Sequence, residues 1–507
     1  MNVDRRPLLT PGVVKGLAIG LALLLMLALN VVPMANNDLW ILMKVGELIV
    51  DTGKIPQTLL FPFTTVRDNH FNAHEWLVSV IFHEFDRLGG LKSLMWIMGG
   101  FALLQFWLCA RLARRQSGSL GAALLLATLA MICANYRFVM RPELFALLFL
   151  VWLLSVLDLY RSERRATTLL WTIPVAILWA NCHGSFLLAP GLAALFAAGE
   201  GWTAAWQASG EMSTRLRAGV RAGLPYAIAA LAMTAACTVN PAGWSLLAFP
   251  FQLQKSDVIR SMVMEWLPTF SPLFTGEREF KTFVIIALAA VATIVWLRRH
   301  LRATDVLLFL FFLALALERQ RHIVWFGFVA MTVCARLIGQ VRIAPRREIQ
   351  LQGGSALLAL VAFVACMMFG NVVGSRIYFA PSNNFNPLLV RELADPKVVG
   401  NVFNSYELGG ELIYRDWPRL KPSIDSRVDS YGDDYLLFSV QLLSDEKLLD
   451  LFLEGNRVSY MLLLSRDFNR GVRTMPSIRA NWHIRLTDGD IFLLERNVPL
   501  SAAASPG

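Results

Sequence analysis

The chain is organised around one polar stretch, residues 36–84, which reads NNDLWILMKVGELIVDTGKIPQTLLFPFTTVRDNHFNAHEWLVSVIFHE. It lies between two long apolar runs and gathers carboxylates and imidazoles, which are costly to place beside a bilayer. Its acids and histidines are Asp38, Glu47, Asp51, Asp68, His70, His74, Glu75, His83 and Glu84. This concentration indicates a site of chemistry or transport rather than a simple connector.

The composition is that of a membrane protein. The 507 residues are 56% hydrophobic and only 17% charged, and the mean hydropathy is +0.51. Apolar runs of about 18 residues or more are long enough to cross the hydrocarbon core of a bilayer. The net charge of +10 comes mostly from arginines in the connectors, where such charges set topology. A nucleic-acid partner is therefore not expected.

The hydrophobic pattern predicts a polytopic α-helical membrane protein with about 11 transmembrane helices. The predicted spans are residues 14–34, 91–112, 120–134, 144–160, 169–180, 186–198, 224–238, 283–297, 306–317, 323–337 and 356–373.

Arginine-rich connectors alternate with connectors of mixed charge. The basic ones are residues 1–15, 111–115, 161–165, 215–221, 298–302 and 342–347. The positive-inside rule places these in the cytoplasm, together with the N-terminus. The polar stretch 36–84, the remaining connectors and everything after the last span are then expected outside the cell membrane.

The pattern divides the chain into two domains. Residues 1–375 would form the transmembrane domain, with a first outer loop at 35–90 that carries interfacial helices. Residues 376–507 would form a small extracytoplasmic α/β domain. Its predicted strands are VVGNVFN, KPSID, RVSYMLLL and the hairpin WHIRLTDGDIFLLER, which turns at Asp-Gly, and its predicted helices are SYELGGELIYR and DEKLLDLFLEG.

Two short outer turns carry paired arginines against the positive-inside trend. Arg137 and Arg141 lie in one turn, and Arg319 and Arg321 lie in the other. The planar guanidinium fork matches phosphate oxygens, which favours a phosphate-binding role for the set. Snorkelling to lipid headgroups is an equally good explanation for any single one of them.

Other polar side chains on the predicted outer face are candidates for a substrate pocket. They are His74, Asn181, His183, Glu265 and His322. Asn181 and His183 follow a span, where capping of a helix end explains them as well as substrate contact does. Trp266 would anchor Glu265 on an interfacial helix.

A metal site is a weaker interpretation of the first loop. His70 and His74 would share one face if this segment were helical. No further residue completes a recognisable ligand spacing, so a hydrogen-bonding scaffold is favoured. A divalent metal ion stays open as a cofactor, and no metal ligand is assigned.

The chain resembles the GT-C superfamily of integral-membrane glycosyltransferases. The resemblance is to bacterial members of the protein mannosyltransferase and aminoarabinose transferase type, in an uncharacterised branch. The matching motifs are NNDLW at 36–40, HEWL at 74–77, RPELFALLFL at 141–150, WANCHGSFLL at 179–188 and NPAGW at 240–244. The segments NVFNSYELGGELIYR and SIDSRVDSYGDD resemble the extracytoplasmic domain of such relatives.

The resemblance implies a sugar donor on a polyprenyl phosphate, an inverting transfer and a site facing out of the bacterial inner membrane. An acidic residue in the first outer loop acts as catalytic base in that family, and Asp38 occupies this position. Some relatives carry an Asp-Glu pair where this chain has Asn37 and Asp38, so Glu75 is the candidate for the second carboxylate. The acceptor would be a glycan, a lipid or a protein, with membrane lipids around the site.

Two other functions fit the composition. An O-antigen ligase or polymerase also joins polyprenyl-linked glycans outside the membrane, but its polar residues are expected in a later outer loop. A transporter of lipid-linked glycans would show internal repeats or charged, broken spans near the midplane. The chain shows no repeat, and its charges cluster at span ends.

Overall fold

The computed structural model describes residues 37–262, 264–341 and 385–497, together with positions 16 and 20. The first outer loop forms two helices, α1 (Asn37–Thr52) and α2 (Trp76–Gly89). They cross closely, because a methyl group on Gly46 would lie 2.1 Å from the carbonyl oxygen of Ser79. Phe61 and Ile413 complete an apolar cluster along α1.

A long helical region follows. Its helices are α3 (Leu91–Ser117), α4 (Leu120–Ala134), α5 (Glu143–Glu163), α6 (Ala166–Leu169), α7 (Thr172–Cys182), α8 (Leu188–Gln207), α9 (Met212–Cys237), α10 (Phe249–Lys255), α11 (Asp257–Met262), α12 (Pro272–Thr275), α13 (Arg278–Trp296), α14 (Ala303–Glu318) and α15 (Ile323–Ile338). Short 3₁₀ turns in this region include Asn135–Arg137, Met264–Trp266 and Gln320–His322.

Within the described parts of the chain, six helical segments are long and apolar enough to cross a membrane. They are Trp96–Ser117, Leu120–Arg137, Glu143–Glu163, Met212–Cys237, Arg278–Trp296 and Gln320–Ile338. Ile285 and Leu288 on α13 are 67% and 64% exposed, as expected for side chains that face lipid. The protein is therefore a multi-pass membrane protein.

The predicted count of about eleven spans is only partly matched. Three predicted spans coincide with helices that are shorter or less apolar than these six segments. They are 169–180 on α6–α7, 186–198 on α8 and 306–317 on α14. The predicted span 356–373, the predicted span 14–34 apart from positions 16 and 20, and the whole basic stretch at 342–347 lie outside the described residues.

The C-terminal part contains a five-stranded mixed sheet in the order β2-β1-β3-β5-β4. Its strands are β1 (Gly400–Asn404), β2 (Leu420–Pro422), β3 (Val458–Leu464), β4 (Trp482–Asp488) and β5 (Ile491–Arg496). Its helices are α16 (Pro387–Leu393), α17 (Gly409–Asp416), α18 (Val428–Tyr431), α19 (Asp433–Gln441), α20 (Glu446–Gly455), α21 (Ser465–Arg470) and α22 (Pro476–Asn481).

The predicted small α/β domain is thus confirmed as a sheet domain. The β4–β5 hairpin turns at Gly489, which has a φ of +58° and follows Asp488, as the Asp-Gly pair predicts. Strand β1 pairs in parallel with β2 and β3, whereas β5 is antiparallel to β3 and β4.

The backbone contacts divide the chain into two compact units. The first unit comprises Met1–Pro33, Leu94–Pro250 and Val263–Ala380, and the second comprises Met34–Ser93, Phe251–Met262 and Pro381–Gly507. The first outer loop therefore belongs to the same unit as the sheet. The two-domain boundary at residue 376 stays a prediction.

Inside the second unit a buried ion pair links the sheet segment to the loop. Arg427 donates to both oxygens of Asp425, at 3.0 and 2.6 Å. The guanidinium also lies over the rings of Phe61 and Phe71, at 4.6 and 5.0 Å from their centroids. These contacts hold the first loop against the sheet segment.

Candidate functional site

A cluster of charged side chains forms within the first unit, from three separate connectors. Arg137 ends the 3₁₀ turn after α4, and Arg141 lies in the following turn. Glu143 opens α5, where a carboxylate interacts favourably with the helix N-terminus. Glu265 lies on the turn Met264–Trp266, and Arg321 lies on the turn that precedes α15.

Glu265 connects the arginines. Its Oε2 atom accepts a hydrogen bond from Nη1 of Arg141 at 2.7 Å and another from Nη1 of Arg137. The Nε atom of Arg137 donates to Oε2 of Glu143 at 2.7 Å. Nη1 of Arg321 lies 3.8 Å from Oε1 of Glu265. The structure therefore brings together three of the four predicted arginines and the predicted Glu265.

The cluster carries more positive than negative charge. Three guanidinium groups face two carboxylates, an excess of one positive charge. Burial opposes ionisation of Glu265, but Arg137, Arg141 and Arg321 outweigh it and hold the pKa of that carboxyl well below its ordinary value. The Arg137 and Glu143 side chains are only 8% and 1% exposed. A buried surplus cation of this kind favours an anionic ligand.

The second predicted arginine turn is tied mainly to backbone. Arg319 donates from Nη1 to the carbonyl oxygen of Trp266 at 2.7 Å, and Arg321 lies over the Trp266 ring, 4.2 Å from its centroid. Nδ1 of His322 lies 3.2 Å from the carbonyl oxygen of Leu315. Arg319 and His322 thus shape the turn that presents Arg321.

Asn181 and His183 make structural contacts at the end of α7. Nδ2 of Asn181 donates to the carbonyl oxygens of Ile177 and Val239, each at 2.8 Å, and its Oδ1 accepts from Asn240 at 3.1 Å. Nδ1 of His183 lies 2.7 Å from the Ser185 hydroxyl. These bonds fasten the end of α7 to the turn after α9, which is the helix-end role considered for them above.

Asp38 lies in the first turn of α1, within the second unit. This turn is packed closely, because a methyl group on Gly410 would come within 2.6 Å of the carbonyl oxygen of Asn37. The ring of Trp40, two residues after Asp38, lies 5.0 Å from that of Tyr414. Helix α17 therefore fixes the position of the Asp38 backbone.

His74 and Glu75 precede α2 in the second unit. The Nε2 atom of His74 lies 3.5 Å from Oε1 of Glu75, and its Nδ1 lies 2.9 Å from the carbonyl oxygen of Asn72. Burial opposes protonation of His74, but the charges of Glu75 and Asp429 outweigh it and raise its pKa to about 9. Burial, with Glu75 adding to it, also raises the pKa of Asp429. The imidazolium thus holds two carboxyl groups together.

The expected helical relationship between His70 and His74 is wrong. His70 pairs with Thr58 in an isolated antiparallel bridge, and α2 begins only at Trp76. Across the described residues, no group of three or more His, Cys, Asp or Glu side chains is placed to hold a metal ion.

Three functional candidates escaped the sequence interpretation. Glu143 is the buried partner of Arg137, and the RPE sequence at 141–143 was a signal for it, since a carboxylate follows an arginine at a helix start. Asp429 and Gly410 are distant in sequence from His74 and Asp38, so only the fold reveals these contacts.

The fold matches solved membrane transferases. The Archaeoglobus fulgidus oligosaccharyltransferase AglB, in complex with an inhibitory peptide and a dolichol-phosphate, has a TM-score of 0.60 at 9% identity, covering 96% of this chain and 75% of that chain. The same enzyme in complex with zinc and sulfate has a TM-score of 0.57 at 11% identity, covering 96% and 74%. ArnT from Cupriavidus metallidurans, bound to undecaprenyl phosphate, has a TM-score of 0.49 at 12% identity, covering 97% and 99%.

The chain therefore shares its fold with these oligosaccharyltransferase structures. No protein-family model matches the chain, and no curated protein matches its sequence.

Proposed function

We propose that this protein is a glycosyltransferase that moves a sugar from a polyprenyl-phosphate carrier to an acceptor outside the bacterial inner membrane. The fold supports the class of enzyme, and the solved AglB structure contains a dolichol-phosphate. The observation that carries the proposal is the partly buried cluster of Arg137, Arg141 and Arg321, whose charge exceeds that of Glu143 and Glu265.

The arginine cluster would bind the donor phosphate. Guanidinium groups pair with phosphate oxygens through two parallel hydrogen bonds, and such bonds are stronger when both partners are charged. Glu265 holds Arg137 and Arg141 in place, so the cluster is organised before the lipid arrives. In this arrangement Glu265 acts on the arginines rather than on the sugar.

Asp38 would act as general base. The acceptor hydroxyl attacks the anomeric carbon and forms the new glycosidic bond, while the bond from that carbon to the phosphate oxygen breaks. The hydroxyl proton passes to the Asp38 carboxylate, and the electron pair of the broken bond leaves with the polyprenyl phosphate. Attack opposite the leaving group inverts the anomeric centre. A positioned base contributes typically about 10²–10⁴-fold.

Glu75 is the proposed second carboxylate, and its Oε1 atom lies 3.5 Å from Nε2 of His74 just before α2. The acceptor would be a glycolipid, a polysaccharide or a protein. The alternating arginine-rich connectors support a cytoplasmic N-terminus and a periplasmic sheet domain. A divalent metal ion stays open as a cofactor, and the proposed step uses only side chains of this protein.

The direct test is donor cleavage by the purified full chain. Undecaprenyl-phosphate-linked mannose, glucose and aminoarabinose are each supplied with cell-envelope extract as acceptor, and release of undecaprenyl phosphate is measured by chromatography. Asp38→Asn should lower release by roughly 100-fold or more. The matched control is Asp51→Asn, at the exposed C-terminal end of the same helix. Equal rates for the Asp38 variant and the unmodified protein would refute the assigned base.

A further inference from the structure

The C-terminal half of α3, in the first unit, presents an aromatic ring followed by arginines. Trp107 is 52% exposed, and Arg111 and Arg115 follow it at intervals of four residues, which places the three side chains on one face of the helix. Leu104, which is 46% exposed, continues this face toward the middle of the span. These four residues, here called the α3 stripe, change from apolar to aromatic to cationic toward the helix end. A phospholipid presents its acyl chain, its glycerol region and its phosphate in the same order.

Both arginines of the α3 stripe are held by neutral groups. The Arg111 guanidinium lies over the Trp107 ring, 5.3 Å from its centroid. Nη2 of Arg115 donates to the Ser162 hydroxyl and, at 3.4 Å, to the carbonyl oxygen of Asp158. Neither contact removes a positive charge, so both guanidinium groups keep their charge and have further N–H donors for an anion.

Counter-ions are scarce around the α3 stripe. Residues 104–117 contain three arginines and no acid. On the neighbouring end of α5, Asp158 is paired with Arg161, which leaves the exposed Glu163 as the remaining acid of that end. Three arginines against one carboxylate leave a surplus of two positive charges. Within the described residues, neither arginine of the stripe forms an ion pair with a carboxylate.

A basic span end alone does not make a binding site, because such charges also set topology. Arg217 and Arg221 near the start of α9 are exposed and four residues apart, in another connector predicted to be cytoplasmic. Arg111 and Arg115 differ from this pair in two respects. One lies against an exposed tryptophan ring, and the other is fixed to the end of a second helix.

The α3 stripe is distant from the arginine cluster. Helix α4 begins three residues after α3 ends and leads to the turn that carries Arg137. The 18 residues of Leu120–Arg137 extend about 27 Å at 1.5 Å per residue. The two groups of arginines therefore lie at opposite ends of the helical unit, and the stripe is separate from the proposed donor-phosphate site.

We propose that the α3 stripe binds an anionic phospholipid of the surrounding bilayer, with the headgroup phosphate between its two arginines and an acyl chain along Leu104. Guanidinium groups pair with phosphate oxygens through charge-assisted hydrogen bonds. A zwitterionic headgroup also carries an ammonium group, which the surplus of positive charge repels. The stripe therefore prefers phosphatidylglycerol to phosphatidylethanolamine. This binding goes beyond the proposed transfer reaction and does not depend on it.

The experiment is a lipid titration of the purified, delipidated full chain in detergent, followed by native mass spectrometry. The probes are dioleoyl-phosphatidylglycerol and dioleoyl-phosphatidylethanolamine, which share their acyl chains and their phosphate. The first phosphatidylglycerol molecule should bind at least about tenfold more tightly than phosphatidylethanolamine. Arg111→Gln combined with Arg115→Gln should weaken phosphatidylglycerol binding about tenfold or more, because charge-assisted hydrogen bonds are lost.

The matched control combines Arg217→Gln with Arg221→Gln, which removes the same charge at the same spacing. It should bind phosphatidylglycerol like the unmodified chain. A further variant keeps the test decisive if the double stripe variant fails to fold. Trp107→Leu changes no charge and should weaken phosphatidylglycerol binding about threefold, because the ring no longer supports Arg111.

Equal binding of the two lipids, or an equal loss in the Arg217 and Arg221 control, would overturn the proposal, since binding would then be a general attraction to headgroups. Undiminished binding in the stripe variants together with a loss in Arg141→Gln would place the lipid in the arginine cluster and would also overturn it. The titration contains no sugar donor, so its outcome is separate from that of the donor-cleavage test.

Discussion

Glu265 accepts a hydrogen bond from Arg141 at 2.7 Å, although 124 residues separate them in the chain. The same carboxylate accepts a bond from Arg137 and lies 3.8 Å from Arg321. One acid in a connector thus organises guanidinium groups from two other connectors. Glu265 therefore joins these arginines into one connected cluster rather than leaving them as independent surface charges.

Removing the Glu265 charge should destabilise the protein. Glu265→Gln leaves Arg137 and Arg141 facing each other without their shared counter-ion, and we expect a loss of roughly 1–3 kcal/mol in the free energy of unfolding. Thermal unfolding of the detergent-solubilised chain measures it. Glu277→Gln is the control, since Glu277 is exposed at the start of α13.

The pH dependence of this loss follows from the lowered pKa of Glu265. A depressed carboxyl pKa contributes stability that is present above the unfolded value, near 4.5, and disappears only as the pH falls through the folded value. The gap between Glu265→Gln and the unmodified chain should therefore be the same at pH 7.5 and pH 5. A gap that closes already by pH 5 would contradict the assigned ion pairs.

Gly410 should position Asp38. Gly410→Ala places a methyl group within 2.6 Å of the Asn37 carbonyl oxygen, so the first turn of α1 must shift. A displacement of about 1 Å at a catalytic group can cost roughly 100-fold in rate. We expect the turnover of donor cleavage to fall by about that factor while lipid binding is retained.

Gly455→Ala is the matched control for Gly410→Ala. Nothing lies within 4 Å of a methyl group at Gly455, which ends α20 in the same unit. The free energies of unfolding of the two variants should differ by no more than the usual cost of overpacking, about 1–3 kcal/mol. Equal activity in the two variants would show that the α17 contact does not position the base.

The first loop should lose stability at alkaline pH because of His74. Its pKa is raised from 6.5 to about 9 in the folded protein, so the stabilisation is fully present below pH 6.5 and is lost as the pH rises through 9. Between pH 6.5 and pH 9.5 the melting temperature of the unmodified chain should therefore fall further than that of the His74→Gln variant. Parallel profiles for the two proteins would rule out a charged His74 between Glu75 and Asp429.

The sequence was informative where charge broke an expected pattern. Arg137, Arg141 and Arg321 stood out because they lie in short connectors predicted to be outside, against the positive-inside trend. The β4–β5 hairpin was predictable because Asp488 and Gly489 suit its positive-φ turn. Both features can be recognised from a few neighbouring residues, without knowledge of the tertiary contacts.

Pairing between distant segments could not be predicted in the same way. Glu265 and Arg141 meet only because the connector after α9 returns to the turn before α5. Asp425 and Arg427 form a buried ion pair whose guanidinium group lies over the rings of Phe61 and Phe71 in the distant first loop. A single sequence carries no record of such contacts, since they depend on tertiary packing.

The most direct test of the central claim is lipid binding measured by native mass spectrometry of the purified chain. The two probes are undecaprenyl phosphate and the uncharged alcohol undecaprenol, which share the same lipid tail. We expect the phosphate to bind and the alcohol not to bind. Arg141→Gln and Arg321→Gln should each weaken phosphate binding about tenfold or more, because charge-assisted hydrogen bonds are lost.

Arg278→Gln separates this role from general attraction to headgroups. Arg278 is a 44% exposed arginine at the start of α13, placed to snorkel at a span end. The account predicts that this variant binds undecaprenyl phosphate like the unmodified chain. Equal binding of the alcohol and the phosphate, or an equal loss in Arg278→Gln and Arg141→Gln, would contradict the phosphate site.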